Sequence, residues 1–135
     1  MSHLQYFSYP GFDEHMRQVL SYNQAVRTGN RIDISGQGGW DPETRVVHSD
    51  LLTDFRQAFA NVELALTHAG GKGWSQVYKL RIYVLDNSPE VFELLMRNLK
   101  EWMPDHQPLL TCVVVKDLGL EGMRIEVEAC AHLAN

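Results

Sequence analysis

Two consecutive segments decide the fold: QVYKLRIYVL at positions 76–85 and NSPEVFELLMRNLKEWMP at positions 87–104. In the first segment, a mixed set of residues alternates with an apolar set, which is the period of a strand with two unlike faces. The mixed set is Lys79, Arg81 and Tyr83, and the apolar set is Tyr78, Leu80, Ile82 and Val84. In the second segment, Ser88 provides a capping hydroxyl, Pro89 occupies the first helical position and Pro104 ends the pattern. The pair predicts a strand followed by an amphipathic helix that covers one face of a sheet.

Upstream of this pair, the sequence predicts a hairpin and a second helix. Extended segments at 21–28 and 31–35 flank Gly29-Asn30, and glycine at the first central position suits a type II′ turn. Ser49 is the expected N-cap of the helix, which ends at Gly70-Gly71. Its apolar positions step by three and four residues: Leu52, Phe55, Phe59, Val62 and Leu66.

Two further strands, over 111–115 and 124–131, complete the order ββαβαββ. Two helices cover only one face of such a sheet, so we expect an α+β fold with both helices on one side of a mixed sheet. The 135 residues form one domain, 1–135. The uncovered face is too polar for a monomer core and suits packing against copies of the chain around small clefts. It carries Lys79, Arg81, Tyr83, Glu126 and Glu128.

Composition excludes several classes of function. A net charge of -5 disfavours broad binding to nucleic acid, which needs clustered basic residues. The chain has no apolar run of about 18 residues and no leader pattern, so we expect a cytoplasmic protein that does not enter a membrane. Cys112 and Cys130 lie in apolar strands, which indicates buried, reduced thiols. Without CxxC or HExxH spacing, we expect no metal and no cofactor.

Several short motifs resemble those of the RidA/YjgF family, and the resemblance runs from about Tyr22 to Ala131 with almost no gaps. It implies a chorismate-mutase-like subunit, a homotrimer whose sheets form a central barrel, and small-molecule clefts between neighbouring subunits. The motifs are Tyr22-Asn23-Gln24-Ala25-Val26, Gly29-Asn30, Ile34-Ser35-Gly36-Gln37, Asp41-Pro42, Asn61-Val62 and Ile125-Glu126-Val127-Glu128-Ala129.

The resemblance also implies a site. Glu126 matches an acid that orients or activates the water attacking an imine carbon, and an ordinary exposed strand carboxylate is the alternative. For Tyr22, packing against a neighbouring subunit is as well supported as contact with a ligand. For Phe92 and Cys112, burial in the core is favoured over contact with a ligand. The positions matched to ligand contact are Tyr22, Ser35, Gly36, Phe92, Thr111 and Cys112.

One departure from the family stands in the segment PLLTC at 108–112, where Leu110 occupies the place of an arginine that clamps a substrate carboxylate. Losing such a contact forfeits roughly 1.5 to 3 kcal/mol. Arg81 is a candidate replacement cation, and an ion pair with Glu126 or Glu128 is the plainer role for it.

Three functions therefore stay open. The first is a deaminase or hydrolase that adds water to a small imine or enamine. The second is a non-catalytic metabolite-binding or chaperone-like trimer. The third is ribonuclease activity, which is attached to the family by name and has no support in the charge of this chain.

Overall fold

Six strands form one mixed sheet in the order β1-β2-β3-β6-β4-β5 in the computed structural model, which describes residues 1–134. Only β4 and β5 pair in parallel, and the other neighbours are antiparallel. The elements are β1 (Gln5–Phe7), α1 (Phe12–Leu20), β2 (Ala25–Thr28), β3 (Arg31–Ile34), α2 (Leu51–His68), a 3-10 turn (Gly73–Gln76), β4 (Val77–Val84), α3 (Pro89–Trp102), β5 (Leu109–Val114) and β6 (Ile125–His132).

The predicted order of helices and strands, ββαβαββ, is confirmed from β2 onward, and so are the α+β fold class and the mixed sheet. Two N-terminal elements, β1 and α1, were not predicted, so the chain has three α-helices among residues 1–134. The hairpin turn has Gly29 at a φ of 59°, as its first central position requires. The predicted cap Ser49 is wrong by one residue, because the Asp50 side chain accepts the hydrogen bond from the Thr53 amide.

The helices α2 and α3 lie over the apolar face of the sheet, where the alternating residues of β4 and β6 are buried. A β-bulge between Val77 and Lys79 shifts the alternation, so Val77 is buried and Tyr78, which was placed on the apolar face, is exposed. Leu52, the first apolar position predicted for α2, is also exposed. Beneath the helices, Phe59 stacks on Trp74 with ring centroids 5.1 Å apart.

On the opposite face of the sheet, called here the open face, the predicted polar residues pair with one another. Arg81 Nη1 lies 3.2 Å from Glu128 Oε1, and the Tyr83 hydroxyl donates to the same oxygen at 2.9 Å. Arg81 is thus engaged in an ion pair, as its plainer interpretation predicts. No helix among residues 1–134 combines the length and the apolar character that a membrane crossing requires.

Candidate active site

A small pocket beside the end of β3 contains Glu126, and we call it the Glu126 pocket. Its volume is about 120 Å³. Glu126 pairs with Tyr83 across the β4–β6 ladder and so lies on the open face. The carboxyl group lies directly beneath Gly36, where a Cβ atom would stand 2.1 Å from Glu126 Oε1. The pocket is lined by Phe12, Met16, Leu20, Tyr22, Gly36, Trp40, Gly119, Leu120, Met123 and Glu126.

The environment of Glu126 favours its neutral form. Burial raises the pKa of this carboxyl above its usual range, and the negative charge of Glu128 raises it further. The Glu126 carboxyl has no hydrogen-bond partner among the described residues, whereas Glu128 accepts hydrogen bonds from Arg81 and Tyr83. Of the two strand acids, Glu126 is therefore the one whose oxygens are available to a water or ligand.

Two other predicted residues border the same pocket. Tyr22 lines it, and burial raises the pKa of the Tyr22 hydroxyl. Ser35 is adjacent, but its hydroxyl donates to the Asn23 carbonyl at 2.8 Å and its amide to the Gln24 carbonyl at 2.7 Å. The Ser35 side chain thus fixes the strand end, and Gly36 provides the close backbone approach.

The helix α1, absent from the sequence prediction, forms one wall of the Glu126 pocket. Phe12 stacks on Trp40 with ring centroids 3.8 Å apart. The signal was present in Pro10-Gly11 followed by Asp13 and Glu14, a turn and two first-turn acids that are typical of a helix start. Its brevity, nine residues, makes the apolar period hard to detect.

The remaining predicted residues lie on β5, the edge strand of the sheet. Leu110 pairs with Leu80 and Cys112 with Ile82, so both side chains lie on the helix side. Thr111 pairs with Arg81 on the open face. Cys112 is exposed in the single subunit, so the expectation of a buried thiol is wrong; partial burial still raises the pKa of this thiol.

Leu110 lines a groove of about 470 Å³ between β5 and the C-terminal half of α3. The groove is mostly apolar, and Lys100 and His106 are the only basic residues that line it. The His106 Nε2 atom lies 2.7 Å from the Val77 carbonyl oxygen. The apolar residues that line the groove are Leu80, Met96, Leu99, Met103, Pro104, Pro108 and Leu110.

The two groups of predicted residues do not meet within one subunit, because Leu110 and Glu126 lie on opposite faces of the sheet. Arg81 shares the open face with Thr111 and not the groove with Leu110, so the structure does not support it as a substitute for the missing arginine. Phe92 is 62% exposed on α3, so the expected core packing of this side chain is wrong. The helix buries Val91 and Leu95 instead.

Metal ligands are not clustered. Within residues 1–134, no group of three or more His, Cys, Asp or Glu side chains is placed to hold a metal ion.

The family model described as Endoribonuclease L-PSP matches residues 13–133. The chain belongs to the L-PSP family, also known as the RidA/YjgF family. A RutC family protein of Pyrococcus horikoshii is 30% identical over 117 residues, which cover 86% of this chain and 90% of that protein.

Two further similar proteins are a deaminase and a RidA protein of known structure. The 2-iminobutanoate/2-iminopropanoate deaminase of Escherichia coli K12 is 31% identical over 113 residues, covering 82% of this chain and 85% of the enzyme. The crystal structure of RidA from an Antarctic Psychrobacter has a TM-score of 0.79 at 27% identity, covering 98% of this chain and all of that one. The RidA/YjgF fold of this chain is thereby established.

Proposed function

We propose that this protein is a RidA-type hydrolase that adds water to the C=N carbon of a small imine, supplied as such or formed by tautomerisation of an enamine, releasing ammonia and a carbonyl product. The observation that carries the proposal is Glu126, a half-buried carboxyl with a raised pKa and oxygens free of protein partners. A carboxylate in such a setting can accept a proton from water as the oxygen attacks carbon. Glu126 passes this proton to the nitrogen. The hydroxyl of the adduct then gives up its proton to the same nitrogen, the C=O bond forms, and the C–N bond breaks to release ammonia.

The proposed cleft is completed by a second copy of the chain. Glu126 and Gly36 form one part on the open face, and Leu110 and Cys112 form the other on the helix side of β5. Since these parts cannot meet within one subunit, a site that contains both draws them from neighbouring subunits. We propose a homotrimer, as the family resemblance implies. A cytoplasmic location is part of the proposal and rests on the sequence alone.

The proposed substrate differs from an amino-acid-derived imine at the position that Leu110 contacts. A carboxylate placed against Leu110 would lose its hydration without gaining a bidentate cation. An apolar substituent in the same place would extend toward Met96, Leu99 and Met103 in the groove. We therefore propose an imine or enamine with an aliphatic or aromatic group where the relatives named as deaminases act on 2-imino acids.

The test is ammonia release from imines generated in situ, with and without a carboxylate on the imine carbon. We expect turnover of the substrate without the carboxylate and a loss of about 100-fold in Glu126→Gln. The matched control is Glu128→Gln, which removes the neighbouring acid that Arg81 and Tyr83 engage. Turnover that survives in Glu126→Gln would contradict the assigned role.

A second candidate is a non-catalytic ligand-binding trimer, which the apolar surroundings of Leu110 favour. The same assay separates the two with Leu110→Arg. Activity toward 2-imino acids that is gained only in this variant would indicate a scaffold whose own role is binding.

A further inference from the structure

Asp13 is a buried acid that the proposed chemistry does not use. Its exposed fraction is 0%, and neither carboxyl oxygen has a hydrogen-bond partner among residues 1–134. The carboxyl lies beside the hydroxyl of Tyr9, on the segment that leads into α1. No cation contributes to its electrostatic environment, and Tyr22 is the other ionisable group on which its charge acts.

An ionised carboxylate in this position would be uncompensated. Burying a charge without a partner is costly, and such a group takes up a proton instead. Burial accordingly raises the pKa of Asp13 to about 8. In its neutral form the carboxyl has one O–H donor and needs only one acceptor.

Tyr9 offers that acceptor. Its hydroxyl accepts a hydrogen bond from Trp40 Nε1 at 3.0 Å and donates one to Gln37 Oε1 at 2.8 Å. A phenolic oxygen has a second lone pair, which faces no other donor in the described network. Asp13 can therefore complete the coordination of Tyr9.

The network continues to the Glu126 pocket. Gln37 exchanges two backbone hydrogen bonds with Val127, of 2.8 and 2.9 Å, and so ties the strand end next to Gly36 to the residue that follows Glu126. The Gln37 side chain also donates to Gln24 Oε1 at 2.8 Å. A displacement of Tyr9 is transmitted to the backbone that covers the Glu126 carboxyl.

We propose that Asp13 is a positioning residue: it is held as a neutral acid whose O–H donates a hydrogen bond to the Tyr9 hydroxyl oxygen. This hydrogen bond fixes the α1 wall and the Gly36-Gln37 backbone against Glu126. The effect of Asp13 on catalysis rests on the proposed function, whereas its hydrogen bond to Tyr9 and its effect on the α1 wall do not. Deprotonation leaves a buried charge beside Tyr9 and displaces the wall.

The experiment follows the Trp40 indole N–H by NMR between pH 6 and 10 in the full chain, with the resonance assigned from Trp40→Phe. We expect a titration with a midpoint near pH 8 in the wild type. Asp13→Asn should keep the low-pH position of the resonance at every pH, because the amide is neutral and can donate to Tyr9. The matched control is Glu14→Gln, the adjacent exposed acid on the same helix, which should titrate like the wild type.

A wild type that does not titrate in this range, or an Asp13→Asn variant that titrates with the wild-type midpoint, would overturn the proposal. Where ammonia release is observed, we expect its rate in the wild type to fall as the pH rises through about 8, and this fall should be absent in Asp13→Asn. Failure of the proposed enzyme activity leaves the NMR result intact, so the two ideas are tested separately.

Discussion

The Glu126 pocket and the β5 edge differ in how much of their structure one subunit supplies. Around Glu126, a helix wall, a buried hydrogen-bond network and a glycine hold the carboxyl in place within a single chain. Along β5, every residue is exposed and one side of the strand has no hydrogen-bonded neighbour. The Glu126 pocket is preorganised within one subunit, whereas the side chains of β5 become buried only when another molecule covers them.

This contrast is what the proposed assembly requires, in which two copies of the chain supply different parts of one cleft. An exposed edge strand with apolar side chains is a typical place for one protein chain to associate with another. The edge strand contains Leu110, where the family resemblance implies an arginine, whereas the Glu126 pocket contains the acid and the glycine that the resemblance implies. Catalytic geometry and ligand selection thus belong to different subunits in the proposed cleft.

The largest expected effect is on assembly. Val113→Lys places a charge on the edge strand next to Tyr83, and we expect it to convert a trimer into a monomer of 15.4 kDa. Light scattering coupled to size exclusion measures the mass. Val46→Lys, at an exposed loop valine, should keep the wild-type mass. A monomeric wild type would refute the proposed assembly.

The next effect is on the position of Glu126. Gly36→Ala adds a Cβ atom where the Glu126 carboxyl lies, so we expect the carboxyl to move and turnover to fall by about 100-fold. The added Cβ would also overlap Cδ and Cγ of Glu126, so the whole side chain must turn away, and we expect a modest fall in the melting temperature. Asn87→Ala, at an exposed position outside the Glu126 pocket, is the control. Equal activity in both variants would show that the position of Glu126 is unimportant.

A smaller effect concerns the support of the pocket wall. Asn61 Nδ2 donates to the carbonyl oxygens of Gly38 and Trp40, both at 2.8 Å. In Asn61→Ala these buried acceptors lose their partner, and we expect the free energy of unfolding to fall by about 3 kcal/mol. Urea denaturation measures it, with the exposed Asn87→Ala as a control expected to change it by less than about 0.5 kcal/mol. A loss as small as that of the control would mean that Asn61 does not hold the wall.

The smallest expected effect is on the rate at which the Cys112 thiol reacts with a thiol reagent. In a Cys130→Ser background, Cys112 is the one remaining cysteine. It is exposed in the single subunit, and we expect a neighbouring copy to cover it. Its reaction with a thiol reagent should therefore be slower than in the same chain with Val113→Lys. Equal rates would place Cys112 outside the interface.

The sequence predicted the elements whose apolar period is long or whose ends carry caps. The helix that begins at Pro89 and the strand β4 follow from local pattern, and Ser88 caps α3 as expected. The β-bulge at Tyr78 and the exposure of Phe92 depend on how the sheet and helix pack, which the alternation of residues does not determine.

The site was predictable in part. Glu126, Tyr22 and Gly36, which the family resemblance assigns to a ligand site, line one pocket, and their roles stay predictions. The buried network of Tyr9, Gln24 and Gln37 was not foreseen, because polar residues distant in sequence meet only after folding. Nor does local sequence indicate that Leu110 and Glu126 lie on opposite faces, since this depends on the pairing of three strands.

The central claim, that one cleft combines Glu126 of one copy with Leu110 and Cys112 of another, is tested most directly by paramagnetic NMR on mixed oligomers. Unlabelled Cys130→Ser subunits carry a spin label on Cys112, and they are refolded with ¹⁵N-labelled subunits in which both cysteines are serine. We predict broadening of the Gly36 and Gln37 amides in the labelled copies. Mixed oligomers in which these amides stay sharp, or samples that contain only monomers, would contradict the account.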